Sequence, residues 1–218
     1  MAERAKMPKG IFSILPSTDA TGTGKEFCEN RKVRKLTFTG STEVGRILLG
    51  QAANNVLKCS MELGGNAPFI VFDDADLDAA VEGAIMCKFR NNGQTCVCAN
   101  RIYVQTGVYK EFATKLQVAV TKLKMGDGFD PKTTLGPLIG LDAVKKVNSH
   151  IDDAISKGAA SIYCGTDEKV SGNFINPTIL TGVKKNMRVA TEETFGPLAP
   201  LFEFSTVEEV IELANDTI

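Results

Sequence analysis

Phe89-Arg90-Asn91-Asn92-Gly93-Gln94-Thr95-Cys96-Val97-Cys98-Ala99-Asn100-Arg101 sets a thiol directly after a Gly-Gln-Thr turn, with a cation six residues before it and a second thiol two residues after. Gly93 admits the backbone angles that a close approach to a ligand requires. The bland reading of Cys96 is a small buried hydrophobe, but an Asn-Gly-Gln-Thr flank is too polar for an apolar core strand. A free thiol is mostly protonated at neutral pH, and a helix N-terminus or a nearby cation lowers its pKa. The second informative stretch, Met61-Glu62-Leu63-Gly64-Gly65-Asn66, lies 34 positions before Cys96, counted from Glu62. Alone, Glu62 reads as a charge at a strand end. In partly apolar surroundings a carboxylate becomes a general base near neutrality, and Gly64-Gly65 leaves room beside it for a water or a cofactor. A thiol on a tight loop and a carboxylate followed by paired glycines are the parts of covalent thioester chemistry.

Outward from this loop, helix-like and strand-like segments alternate, which argues for an α/β architecture. Asp76 is a helix N-cap before Leu77, Ala80, Val81, Ala84 and Ile85. Tyr109, Phe112, Leu116, Val120 and Leu123 form a second apolar stripe, and Val144, Val147, Ile151 and Ile155 a third. Ile11–Leu15, Pro68–Phe72 and Ile102–Gln105 read as buried strands. Gly126-Asp127-Gly128, Asp130-Pro131 and Gly136-Pro137 read as turns. The chain opens inside an apparent helix, and Val207, Val210, Ile211 and Ala214 begin another just before Ile218, so both ends read as cut.

With 218 residues, 43% hydrophobic and 23% charged, the chain has enough apolar content for one large core or two small ones. A net charge of −1 gives no electrostatic reason to expect nucleic acid or an anionic membrane as partner. No apolar run approaches the roughly 20 residues that span a bilayer, and the N-terminus carries neither a signal nor a transit pattern. Six cysteines, at 28, 59, 87, 96, 98 and 164, are irregularly spaced without a C-x-x-C pair, so neither a zinc site nor a disulfide framework is expected. Free thiols in a reducing compartment fit better, which implies a soluble intracellular protein, in cytoplasm or mitochondrion. The single histidine, His150, reads as a surface residue on a helix, and its isolation removes the usual base of a cysteine protease.

Three further stretches carry candidate chemistry. In Phe38-Thr39-Gly40-Ser41-Thr42-Glu43-Val44-Gly45 a strand-like run ends in small residues, and Val44 to Ala53 then reads as a helix whose N-terminal amides suit phosphate. Arg46-Ile47 after Gly45 excludes a P-loop, and Phe27 stands where the fingerprint starting at Gly22 wants a third glycine. Spacing alone leaves phosphate binding open. Thr191-Glu192-Glu193-Thr194-Phe195-Gly196-Pro197 reads by itself as a turn with a packed aromatic. Arg90 reads either as a surface ion-pair partner or as a planar fork for a ligand carboxylate, and Cys98 either as a structural thiol or as a redox partner of Cys96.

Gln94-Thr95-Cys96 together with Glu62-Leu63-Gly64-Gly65 resembles the aldehyde dehydrogenase superfamily, and Arg90 with Cys98 resembles its succinate-semialdehyde dehydrogenases. The resemblance covers the whole chain but only the middle of a family member about twice as long. It implies an aldehyde dehydrogenase-like α/β fold, with residues 1–63 closing a Rossmann-type NAD(P)-binding domain and residues 64–218 forming a catalytic domain truncated at its C-terminal end. It implies Cys96 as nucleophile and Glu62 as the base for the hydrolytic water. Gly40, Ser41, Val44, Leu63 and Gly64 would lie along NAD or NADP, with Glu193 on the nicotinamide ribose and Phe195 on the ring. Arg90 would hold the substrate's distal carboxylate, and a Cys96–Cys98 disulfide would be a reversible switch. No metal is implied. The parent would be a homo-oligomer, dimer or tetramer, acting on a small aldehyde. The family's oxyanion asparagine and ribose-binding lysine would precede Met1, and its last catalytic strands and oligomerisation strand would follow Ile218. Two alternatives follow: a non-catalytic fragment, or a dehydrogenase for another aldehyde.

Overall fold

The computed structural model describes residues 1–163 and 172–218; Cys164 of the six cysteines lies outside the described residues. The chain divides into two compact units, Met1–Leu63 and Gly64–Ile218.

The first unit contains α1 (Ala20–Glu29), β1 (Lys35–Gly40), α2 (Thr42–Ala53) and β2 (Lys58–Leu63). Asp19 caps α1 by accepting from the Gly22 amide at 2.8 Å, and Ser41 caps α2 by accepting from the Val44 amide at 3.3 Å. The strands pair in parallel from Lys35↔Lys58 to Gly40↔Leu63. Cys28, Leu36, Leu48 and Ala52 form the core, flanked by Phe38, Leu57, Cys59 and Met61. Gly45 is required where α2 crosses β2, because a Cβ there would meet Leu63 Cδ2 at 2.6 Å. Two expectations fail in this unit. Ile11–Leu15 forms no strand, and Ile11, Phe12, Ile14 and Leu15 stand 64–77% exposed. Apolar content favours a strand only where a neighbour supplies the ladder, and no described residue pairs with this run. The opening residues form turns, with Ala5 donating to the Met1 carbonyl at 3.0 Å, and not a helix. Lys6 there has a φ of 53°, outside helical geometry.

The second unit is a five-stranded sheet of order β3-β4-β7-β6-β5. Its strands are β3 (Ala67–Val71), β4 (Ala99–Gln105), β5 (Ala160–Tyr163), β6 (Thr178–Thr181) and β7 (Leu198–Phe204). All neighbours run parallel except β5, which pairs antiparallel with β6. The helices are α3 (Leu77–Phe89), α4 (Tyr109–Val120), α5 (Leu141–Ser156), α6 (Arg188–Thr191) and α7 (Val207–Asn215). Strand alternation sorts the core onto two faces. Ile102, Val104, Ile179, Ala199 and Leu201 pack with Val81, Phe112 and Leu116 of α3 and α4. Tyr103, Leu180, Leu198, Phe202 and Phe204 pack with Val147, Ala154 and Val210 of α5 and α7. A parallel sheet covered on both sides reads as unbroken apolar runs, which is the signature of Ile102–Gln105.

Asp76 caps α3, accepting from the Asp78 and Ala79 amides at 3.0 and 3.1 Å. On α5 the buried positions are Val147, His150 and Ala154, while Ile155 is 47% exposed. The expected stripe holds at Val144, Val147 and Ile151, which pack on the core, and fails at Ile155, while His150, expected at the surface, is fully buried. Among the described residues, no helix is long and apolar enough to cross a membrane.

Candidate active site

The Cys96 loop begins where α3 ends. Arg90 leaves helical geometry, and Asn91, Asn92 and Gly93 follow with φ of 51°, 58° and 72°. Successive left-handed residues are tolerated only by glycine and by short side chains such as asparagine, which explains the Asn-Asn-Gly sequence. Such strain persists where surrounding contacts enforce it, and here they are polar. Asn91 Nδ2 donates to the Gln94 carbonyl at 2.9 Å, and Asn92 Nδ2 to the Gly136 carbonyl at 2.8 Å. Gln94 Oε1 accepts from the Ile139 amide at 2.9 Å. Gly93 lies so close to the Gly196 carbonyl that a Cβ would overlap it. The Cys96 loop and the Phe-Gly-Pro corner are therefore packed main chain to main chain.

Cys96 is exposed at the crest of this loop. Cys98 is 2% exposed, and its thiol donates to the Lys88 carbonyl at 3.5 Å. Both are free thiols. Arg90 is exposed, and none of the described residues pairs with it.

The paired glycines sit beside this loop. A Cβ on Gly65 would lie 3.8 Å from the Cys96 carbonyl, and a Cβ on Gly64 would overlap the Glu193 carboxylate. The Gly65 amide donates to Glu193 Oε1 at 3.2 Å. The Glu193 carboxylate occupies the space over Gly64 that a side chain there would need. Within the second unit, Gly64, Glu193 and the Cys96 main chain are thus brought together, with Phe195 39% exposed two residues beyond Glu193. A carboxylate fixed by one amide retains acceptor capacity for the hydroxyls of a ligand.

Two buried ionisable groups lie beside this site: Lys88, which the sequence reading did not single out, and His150, which it expected at the surface. Lys88 is fully buried, donating to Asn100 Oδ1 at 2.7 Å and the Thr194 carbonyl at 3.3 Å. Burial lowers its pKa, opposed by the neighbouring Cys98 and Cys87 thiols and by Glu193. The legible signal was a lysine continuing the α3 stripe of Val81 and Ala84. His150 Nδ1 lies 2.8 Å from Thr194 Oγ1, and Nε2 3.1 Å from Glu192 Oε2. Burial lowers the His150 pKa against the raising pull of Glu192. Arg188 grips Glu192 with two 2.8 Å hydrogen bonds and holds its carboxyl down at about 2. The ionised Glu192 only accepts, so a neutral His150 donates from Nε2 and accepts the Thr194 hydroxyl at Nδ1. The helical spacing of His150 between Val147 and Ala154 was the signal that could have revealed its burial.

In the first unit, Gly40 and Leu63 are ladder partners, as are Thr39 and Glu62. Glu62 is exposed near the C-terminal end of β2, and Ser41 and the 42%-exposed Val44 open α2 just beyond β1. The carboxyl ends of parallel strands, followed by a capped helix N-terminus, are where α/β folds receive nucleotides. Among the described residues, no group of three or more His, Cys, Asp or Glu is placed to hold a metal. A cavity of about 260 Å³ against α7 is lined by Arg101, Tyr103, Phe202 and Asp216 and by none of the candidate residues.

Comparison with known proteins places this geometry. The aldehyde dehydrogenase family matches residues 1–218. A probable succinate-semialdehyde dehydrogenase [NADP(+)] of Sinorhizobium fredii is 56% identical over 218 residues, covering 100% of this chain and 44% of the relative. A glutarate-semialdehyde dehydrogenase of Pseudomonas aeruginosa is 58% identical over 217 residues, covering 100% of this chain and 45% of the relative. The crystal structure of succinate-semialdehyde dehydrogenase from Burkholderia pseudomallei superposes with a TM-score of 0.95 at 60% identity, over 99% of this chain and 45% of that one. The chain thus spans under half the length of these relatives. Its α/β architecture is aldehyde dehydrogenase-like, and the chain belongs to the aldehyde dehydrogenase family.

Proposed function

We propose that the protein oxidises succinic semialdehyde to succinate, with NAD or NADP as hydride acceptor. The observation that carries this reading is the exposed Cys96 on its strained loop, beside the Gly65–Glu193 shelf and six residues after an exposed, unpaired Arg90. The relatives named for succinate and glutarate semialdehydes act on substrates with a distal carboxylate, which suits the guanidinium of Arg90.

In this mechanism Arg90 anchors the carboxylate and so orients the aldehyde toward Cys96. The Cys96 thiolate adds to the carbonyl carbon, and the Cys96 main-chain N–H stabilises the resulting oxyanion of the thiohemiacetal. A nicotinamide dinucleotide, when bound, would supply the hydride acceptor for that carbon. Glu193 and Phe195 would hold its ribose and ring, and Gly40, Ser41, Val44, Leu63 and Gly64 would line the dinucleotide. Glu62 removes a proton from water, which cleaves the thioester at Cys96 and releases succinate. Residues 1–63 contribute to dinucleotide binding and residues 64–218 to catalysis. A peroxide oxidant would take two electrons from the pair, joining Cys96 and Cys98 in a disulfide with water as the by-product, once the buried Cys98 thiol becomes accessible.

The test is production of reduced nicotinamide by the protein expressed from its complete reading frame, given succinic semialdehyde with NAD or NADP, against a Cys96→Ala control. Turnover that Cys96→Ala abolishes supports the reading; no turnover, or turnover surviving the substitution, sinks it. A second reading, glutarate semialdehyde as preferred substrate, is favoured by the 58% identity to the Pseudomonas enzyme. One methylene changes kcat/KM by about 10- to 200-fold, so the two efficiencies measured side by side decide between them.

A further inference from the structure

Lys88 is a fully buried ammonium with no carboxylate within ion-pair distance among the described residues. Taking such a charge out of water costs several kcal/mol unless hydrogen bonds replace the lost hydration. A methionine of similar length would fill the same space without that cost, so what the cation holds is the point of interest. Its two oxygen partners belong to distant segments: Asn100 at the start of β4, at 2.7 Å, and the Thr194 carbonyl, at 3.3 Å. Asn100 passes the constraint on, donating from Nδ2 to the Gly65 carbonyl at 3.2 Å. The Gly65 amide in turn donates to the Glu193 carboxylate at 3.2 Å. Glu193 and Thr194 are chain neighbours, so the hydrogen bonds close into a ring: Lys88, Asn100, Gly65, Glu193–Thr194 and back to Lys88.

We propose that Lys88 is a positioning residue which, through this ring, sets the Glu193 carboxylate against the Gly64-Gly65 main chain beside Cys96. The proposal deepens the functional reading and rests on it for one consequence, that Glu193 meets the nicotinamide ribose. Lys88 holds both ends of the Glu193 placement. It pins the main chain that carries the carboxylate, and through Asn100 it holds the carbonyl of Gly65, the residue whose N–H the carboxylate accepts. Networks of this kind act as a unit, because each bond orients the next. The Cys98 thiol, bonded to the Lys88 carbonyl at 3.5 Å, ties the far end of the nucleophile loop to the same residue.

The experiment compares Lys88→Met and Asn100→Asp with wild type, each expressed from the complete reading frame. Asn100→Asp keeps an acceptor for Lys88 but loses the donor to Gly65, so it opens the ring while retaining a paired lysine. It decides the matter if Lys88→Met does not fold. Hydrogen exchange is read at residues 64–66, 192–195, α4 and α5. The ring predicts that residues 64–66 and 192–195 exchange about tenfold faster together, while α4 and α5 keep wild-type rates. Dinucleotide KM should rise about tenfold, while aldehyde KM moves less than about threefold. Exchange rising throughout the unit, in only one of the two segments, or in neither, overturns the proposal. Unchanged dinucleotide KM in a folded variant overturns it as well. If the wild type oxidises no aldehyde, the exchange pattern still decides on the ring, and only the functional reading falls.

Discussion

Substituting Gly93 by alanine tests the loop geometry at its tightest point. Two separate costs are visible. The backbone is left-handed, with φ of 72°, which costs an alanine ~1–2 kcal/mol, offset by up to ~1 kcal/mol because the unfolded chain becomes stiffer. In addition, the new Cβ would overlap the Gly196 carbonyl and lie 3.1 Å from that of Lys88. Main chain yields less readily than a side-chain tip, and overpacking costs ~1–3 kcal/mol. The sum is about 1–5 kcal/mol, against a domain stability of about 5–15 kcal/mol. Three other glycines separate the contributions. Gly136 has neither positive φ nor any neighbour within 4 Å of a Cβ, so alanine there should change stability by no more than ~0.5 kcal/mol. Gly158, with φ of 96° and open space, isolates the backbone cost, about 1 kcal/mol. Gly196 has no positive φ but meets Val147 Cγ2, a side chain able to move, so alanine there should fall between Gly136→Ala and Gly93→Ala. Urea unfolding of the four variants, with unchanged slope, gives the series. If Gly93→Ala is no worse than Gly158→Ala, the close approach of the two loops is wrong.

Three further outcomes follow. Arg90→Ala should lower kcat/KM for succinic semialdehyde about 10- to 100-fold, the equivalent of hydrogen bonds to a charged group, while leaving an uncharged aldehyde of similar length unaffected; equal losses on both would remove Arg90 from substrate recognition. Glu192 falls from its ordinary 4.5 to about 2 on folding, so its contribution is complete above about pH 4.5 and is lost as pH drops toward 2. The part-exposed site makes that contribution modest, and Glu192→Gln should flatten this window of an acid unfolding curve; an unaltered curve would contradict the Arg188 grip. Ser41→Ala should cost about 0.5–2 kcal/mol by freeing the Val44 amide, measured by thermal unfolding against Ser17→Ala, whose hydroxyl caps no helix; indistinguishable melts would discount the cap.

Much of the architecture was written in local pattern. Asp76 announced α3, and the unbroken apolar run Ile102–Gln105 announced a strand buried on both faces, because caps and burial act within a few residues. Gly93 announced unusual backbone because glycine adopts left-handed angles freely, whereas the same angles at Asn91 and Asn92 emerged only in the folded loop. What escaped was non-local. Ile11–Leu15 has the composition of a strand but no ladder partner among the described residues, and pairing is a property of the neighbour. His150 and Lys88 sit on apolar stripes of their helices, yet their hydrogen-bond partners come from 12 to 106 positions away. Polar side chains on a buried face are legible as anomalies, while the contacts that satisfy them are legible only in the folded chain.

The most direct test of covalent chemistry at Cys96 is a trapping experiment. Glu62→Gln protein from the complete reading frame is mixed with succinic semialdehyde and NADP or NAD, quenched in acid, digested and analysed by mass spectrometry. The account predicts a succinyl thioester on the peptide carrying Cys96, absent when Cys96→Ala is added. Wild-type turnover in Glu62→Gln with Cys96 unmodified, or the acyl group on a different cysteine, would contradict it.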